Sequence, residues 1–344
     1  MKFPRARGDA SGALLRVLPR RPDDIEASEL FDLQQAIARA VAGSDDLLHD
    51  DDVQLALDML YELHYTGFDE ADDGWEWSPA LLAGRSLIEA AFERALRASV
   101  PMPELPEPRA DAVAAALFEL TAPTPGPGLA RTIEREATDE QAREFIIQRS
   151  IYTLKEADPH TWAIPRLRGR AKAALVEIQS DEYGGGRAER IHAALFAGTM
   201  RALGLDDTYG AYIDAVPAIT LASLNMSTMF GLHRRLRGSA VGHLAAFEMT
   251  SSLPCRMIGD GFRRLGYGVD VTFYYDEHVE ADSVHEQIAG RDLAGGLVDA
   301  HPELLADVMF GAAACLVVDG MAADDVRSAW EAGESSLLGS AVRS

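Results

Sequence analysis

Apolar residues recur at three- and four-residue intervals along almost the whole chain, and that period admits little besides α-helices. "DDVQLALDMLYELHYTGF" opens on acids suited to a helix N-terminus and then keeps the rhythm. "SPALLAGRSLIEAAFERALRASV" repeats it after a Ser-Pro start. Further helical stretches are expected at 138–157, 166–182, 188–203, 206–232, 238–265, 270–290 and 302–318. No segment alternates at period two with β-branched residues, so the chain reads as all-α.

Proline sets the organisation. "PMPELPEPRADA" and "TAPTPGPG" break helices and extend the chain. Residues 1–100 therefore read as an N-terminal helical extension, 101–128 as a proline-rich connector, and 129–335 as a larger helical bundle. An apolar fraction of 47% over 344 residues is ample for packed interiors. The net charge of −23 repels a phosphate backbone and no basic stripe offsets it, so no nucleic-acid partner is expected. No run of eighteen apolar residues occurs, and "MKFPRARGDASGALLRVLPRRPDD" lacks a continuous apolar stretch. Neither a membrane span nor a secretory signal is expected. Cys255 and Cys315 lie far apart and suggest no disulfide or zinc ribbon, which makes a reducing cytoplasm the expected compartment.

A bundle needs apolar inward faces, so polar residues on those faces call for a reason. Glu156 follows an apolar run in "SIYTLKEADPHTW". "LVEIQSDEYGGGRAERIHAALF" carries Glu177, Asp181, Glu182, Glu189 and His192. Glu248 stands among Ala246, Phe247 and Met249. In "FYYDEHVEADSVHEQ", His278, Asp282 and His285 stand at i, i+4 and i+7, within roughly 60° of one another on a helix. Imidazoles and a carboxylate on one stripe suit iron, manganese or zinc.

Each has a plainer reading. The last stretch could be a solvated acidic helix, Glu156 a helix-end charge, Glu182 a turn former and His192 a satisfied core histidine. His49, His64, His160, His233, His243 and His301 read as structural or exposed. The three glycines 184–186 interrupt the helix, so ideal rotation does not choose between Glu182 and Glu189. Taken together the set has one economical explanation, because carboxylates and imidazoles converging from separate helices form a recurrent di-iron arrangement.

"TLKEADPHTWAIPRLRG", "EIQSDEYGGG" with a following histidine, "FEMTSS" and "FYYDEHVEADSVH" resemble the haem-oxygenase-like di-iron oxidases, the iron-containing redox enzymes. The resemblance covers roughly residues 130 to 330. It implies a haem-oxygenase-like helical bundle with an N-terminal extension. It implies Glu156, Glu182, His192, Glu248, His278, Asp282 and His285 as metal ligands, and favours Glu182 over Glu189. One iron would be held by Glu156, His192 and Glu182, the second by His278 and His285 with Asp282, and Glu248 would bridge them or complete one site. Two irons per chain and O2 as co-substrate follow from the same resemblance. The expected reaction is N-oxygenation, desaturation or C–C cleavage of a small-molecule substrate such as an amine, amino acid or fatty acid. An external electron donor and a homodimer are left open as partners. The rivals are a haem-binding or haem-degrading protein, which needs an axial histidine rather than several carboxylates, and a thiaminase-like hydrolase, which needs a cysteine nucleophile. A non-catalytic iron-binding protein is the third.

Overall fold

The computed structural model describes residues 1–339 apart from 124, 125 and 127, and residues 280–284 by their backbone alone. Among the described residues no strand occurs, and helices of α, 3-10 and π type carry the chain. The apolar period is thereby met.

Contacts divide the chain into two compact units. The first is Met1–Ser99 with Thr208–Met226 and a short piece of the C-terminal tail. It contains α1 (Asp9–Val17), α2 (Ala27–Gly43), α3 (Asp51–Glu62) and α4 (Pro79–Ser99). Acidic caps start two of these: Asp50 accepts from the Val53 amide at 2.9 Å, and Asp52 takes the amides of Ala10 and Ser11 at 2.8 Å each. Leu14, Ile37, Leu55 and Phe92 are fully buried between them. The segment around 208–226, expected in the larger bundle, groups here because its polar atoms find their partners here. Arg7 donates to the carbonyls of Ile213 and Val216 at 2.7 and 2.8 Å, and buried Asn225 donates to the backbone and side-chain oxygens of Gln54 at 2.9 Å each.

The second unit is built mainly from Val100–Asp207 and Ser227–Ser336. It opens with α5 (Ala110–Leu120), which lies inside the stretch expected to be a connector. Its alanine-rich sequence is a strong helix former between the prolines, and it buries Val113, Ala114 and Leu117. Then follow α6 (Leu129–Arg135), α7 (Asp139–Thr153), the single turn α8 (Asp158–Thr161), α9 (Gly169–Glu182) and α10 (His192–Ala202). After α11 (Ala218–Leu232) come α12 (Arg237–Met249), α13 (Ser252–Arg264) and α14 (Val269–Gln287). A π-helical stretch, Ile288–Gly295, leads to α15 (Gly296–Ala300) and the long α16 (Leu305–Glu331).

Two helix expectations change. The helix expected over 206–232 begins only at Ala218. The single helix expected over 238–265 breaks at Thr250 and Ser251, whose hydroxyls bond back to the carbonyls of Ala246 at 2.7 Å and Glu248 at 3.0 Å. Pro254, with no amide to give, follows at once, and the chain restarts as α13.

α12 and α16 approach so closely that a Cβ built on Gly242 would lie 1.8 Å from the Val308 carbonyl oxygen. One built on Gly311 would lie 2.1 Å from that of Ser239. The run Pro302–Glu331 is long enough to cross a membrane and contains an 18-residue window with a mean hydropathy of 1.8. Here it serves as a core helix, burying Val308, Phe310, Ala314 and Val318 against its own unit.

Candidate metal centre

Five segments of the second unit bring six candidate ligands together. Glu156 sits in the turn after α7, Glu182 is the last residue of α9 and His192 the first of α10. Glu248 rides on α12, and His278 and His285 on α14. All six are buried. Asp282, the seventh expected ligand, has its side chain outside the described residues.

Their polar atoms form two groups. Ligand atoms of Glu156, Glu182, His192 and His278 lie within 4.8 Å of one another, and so do those of Glu182, Glu248 and His285. This differs from the expected partition in two ways. His278 joins Glu156 and His192 rather than His285, and Glu182, rather than Glu248, is common to both groups. The helix explains the first change: seven residues at 1.5 Å each set His278 and His285 about 10 Å apart along α14. Glu189 is exposed before α10, whereas Glu182 is buried and belongs to both groups.

The glycine run makes this geometry. Gly184, Gly185 and Gly186 all adopt positive φ, at 68°, 59° and 81°, a conformation costly for residues with a Cβ. A Cβ on Gly184 would lie 2.6 Å from the backbone carbon of Arg190. The loop thus folds back on itself and returns His192 to the end of the helix that carries Glu182. Gly184→Ala is expected to lower stability by about 1–3 kcal/mol and to separate these two residues, giving weaker metal uptake than wild type in a titration monitored by calorimetry. Ala157, at φ 76°, turns the chain sharply after Glu156, and its carbonyl accepts from the Gln179 amide at 3.1 Å.

Neighbouring groups orient the candidate ligands. His278 Nδ1–H donates to the Tyr274 carbonyl at 2.8 Å, which leaves Nε2 facing Glu156 Oε1 at 3.9 Å. That is the arrangement by which a backbone carbonyl fixes the tautomer of a ligating imidazole. The Tyr274 hydroxyl donates to both Glu156 oxygens, at 3.0 and 2.9 Å. His285 Nε2 pairs with Asp181 at 3.0 Å, and its Nδ1 lies 3.4 Å from Glu248. Asp181, one of the carboxylates singled out with Glu182, thus stands behind a candidate ligand.

The donor set fits a cation. His192 Nδ1 is 2.9 Å from Glu182 Oε2 without the alignment of a hydrogen bond, as two lone pairs aimed at a common ion would be. The void between Glu156, Glu182, Glu248 and His278 holds about 20 Å³, room for small ions and far too little for a macrocycle. Three carboxylates and three imidazoles, with no thiolate among them, favour iron or manganese over the thiolate-loving metals.

His160 and His243 were expected to be merely structural or exposed. Both are buried, 3.0 Å apart, and His160 lines the same void. No periodic signal marks them: His160 follows Asp158 and Pro159 in a single turn, and His243 is a lone histidine in an apolar run. Burial pushes His243 down to about 4, and burial and then His243 push His160 well below its ordinary value. His285 goes the other way: burial opposes its charge, but Glu248 and then Asp181 raise it to about 9.

These shifts predict a two-sided pH profile for the metal-free protein. His243 is neutral when folded and takes a proton when unfolded, so its contribution is present above pH 6.5 and is lost as pH falls towards about 4. The loss amounts to about 3 kcal/mol. His285 is held charged by the fold, so its contribution is present below pH 6.5 and is lost as pH rises through about 9. Solvent screening of the exposed Asp181 discounts that term to about 1–2 kcal/mol. Urea unfolding across this range should show a maximum near neutrality, and His285→Gln should flatten only the alkaline limb.

The sequence relationships agree with the geometry. Residues 143–320 match the family described as iron-containing redox enzymes. A nitrosourea synthase from Streptomyces achromogenes subsp. streptozoticus is 28% identical over 164 residues, which cover 47% of this chain and 35% of that protein. The chain thus spans about a third of the length of that relative. The matched region contains every residue of the two ligand groups and takes in more than half of the 344 residues, and on that ground the chain belongs to the iron-containing redox enzyme family.

Proposed function

We propose that the protein is a non-haem di-iron enzyme that uses O2 to oxidise a small organic molecule. The observation that carries this reading is Glu182, a buried carboxylate common to a four-residue and a three-residue ligand group. Bound there, an iron pair would supply the electrons that reduce O2 and the oxidising power directed at the substrate. The protein's own groups prepare the site. Glu156 is held by Tyr274, His278 by the Tyr274 carbonyl, and His285 by Asp181. A cavity of about 400 Å³ opens beside Glu156 and His278, walled by Phe145, Phe196, Phe247 and Ile258, and is suited to keep water from a bound apolar body. A nitrosourea synthase, by its name, makes a nitrogen-oxidised product, which puts N-oxygenation ahead of desaturation and C–C cleavage as the chemistry to assay. An external donor would return electrons, with the cytoplasm as the working compartment.

Cys255 lines this cavity half-buried, so the hydrolase reading has a nucleophile in place. The experiment separates the readings. Protein loaded anaerobically with Fe(II) should consume O2 and give an exchange-coupled ferric pair in its Mössbauer spectrum, and Cys255→Ser should do the same. Stoichiometric zinc with no iron uptake, or tight hemin binding with a strong Soret band, would contradict the proposal.

A further inference from the structure

The cavity beside Glu156 and His278 carries two charged groups that the metal site does not use, Arg149 and Asp319. Arg149 lies on α7, and its guanidinium stands over the rings of Tyr152 and Phe247, at 5.6 and 5.8 Å from their centres. Among the described residues these ring faces are its partners, with no carboxylate in ion-pair contact. A guanidinium has five N–H donors, and ring faces leave most of them available. Asp319 contributes to the field that favours the charge, but its own Oδ2 faces the Cys315 thiol at 3.9 Å. A second donor stands on the same wall. Tyr275 is 3% exposed, and its hydroxyl is buried without a hydrogen-bond partner. Buried hydroxyls are nearly always paired, so an orphan facing a cavity is a donor awaiting an acceptor.

We infer that Arg149 and Tyr275 form a clamp for the carboxylate of the substrate, which sets its apolar body along Phe145, Phe196 and Ile258 and its reacting end towards Glu156 and His278. The inference rests on the proposed oxidase reading for the reaction, but the clamp itself is a binding claim that needs no metal. The guanidinium supplies a charge-assisted bond in a largely apolar chamber, where such bonds are strongest, and the phenol adds a neutral one. Stacking on Tyr152 and Phe247 holds the guanidinium in place before the ligand arrives, which lowers the ordering cost of binding.

The probes are four ligands with the same apolar chain: hexanoate, L-norleucine, hexylamine and 1-hexanol. Binding is read by calorimetry on metal-free protein and on protein loaded anaerobically with Fe(II). Hexanoate and L-norleucine should bind about ten- to a hundredfold more tightly than hexanol, and hexylamine no better than hexanol. Tighter L-norleucine would assign the carboxylate to an amino acid, and tighter hexanoate to a simple acid. Arg149→Met should abolish the carboxylate preference, Arg149→Lys keep part of it, and Tyr275→Phe weaken it by about fivefold, all with unchanged iron content. Hexanol or hexylamine binding as well as hexanoate, or no binding of any probe to the wild type, overturns the clamp. A carboxylate preference in a protein that never takes up iron would leave the clamp standing and remove the oxidase reading.

Discussion

Glu182→Ala should lose both metal ions, whereas Glu156→Ala and His285→Ala should each lose one. Glu182 is the residue common to the two ligand groups, while Glu156 belongs to one and His285 to the other. Glu182→Gln, which keeps the shape and loses the charge, should behave like the alanine variant. Helical far-UV signal should persist in all of them, because Glu182 ends its helix rather than packing a core. The effect should also be visible as stability. Metal at a hundred to a thousand times its dissociation constant raises wild-type stability by about 3–4 kcal/mol, and Glu182→Ala should show none of that increase. Metal analysis after anaerobic Fe(II) loading reads the first effect and a melting scan with and without metal reads the second. One ion retained in Glu182→Ala would mean that the two groups are independent.

Gly242→Ala should be among the most destabilising small substitutions in the chain, at about 3 kcal/mol or more. Its Cβ would lie 1.8 Å from the Val308 carbonyl oxygen, which is backbone and cannot swing aside like a flexible side chain. α12 and α16 would have to part, and α12 also carries Glu248 and the buried His243. Loss of stability should therefore come with loss of the metal in the Glu182, Glu248 and His285 group. Gly320→Ala on α16 is the control. Nothing lies within 4 Å of the added atom, so relief of glycine's entropy should stabilise the helix by about 0.5–1 kcal/mol. Urea midpoints of the two variants give the comparison.

The all-helical class was legible because it rests on a period repeated over hundreds of residues. The candidate carboxylates and imidazoles were singled out by local signals: Glu248 stands in an otherwise apolar helix, where an unpartnered charge is costly, and His278 and His285 share one helical stripe. The pairing of ligands was less legible, although part of it was available. His278 and His285 share a stripe, but two turns of helix separate them too far for a single ion to be the natural reading. What the sequence hid were features set by tertiary approach. The break at Thr250 and Ser251 depends on hydroxyls turning back to helix carbonyls, which many helices tolerate. The grouping of 208–226 with the N-terminal helices depends on the buried Asn225–Gln54 bonds, between residues far apart in sequence. Arg149 did leave a trace. With Tyr152 and Glu156 it stands at i, i+3 and i+7, a helical stripe of one cation, one aromatic and one candidate ligand.

On the proposed reading, two metal ions sit side by side with Glu182 between them. Anomalous diffraction from crystals of the Fe(II)-loaded protein, collected on both sides of the iron absorption edge, tests it directly. Two iron peaks are expected inside the second unit, one against Glu156, His192 and His278, the other against Glu248 and His285, with the Glu182 carboxylate touching both. A single peak, or iron bound away from Glu182, would contradict it.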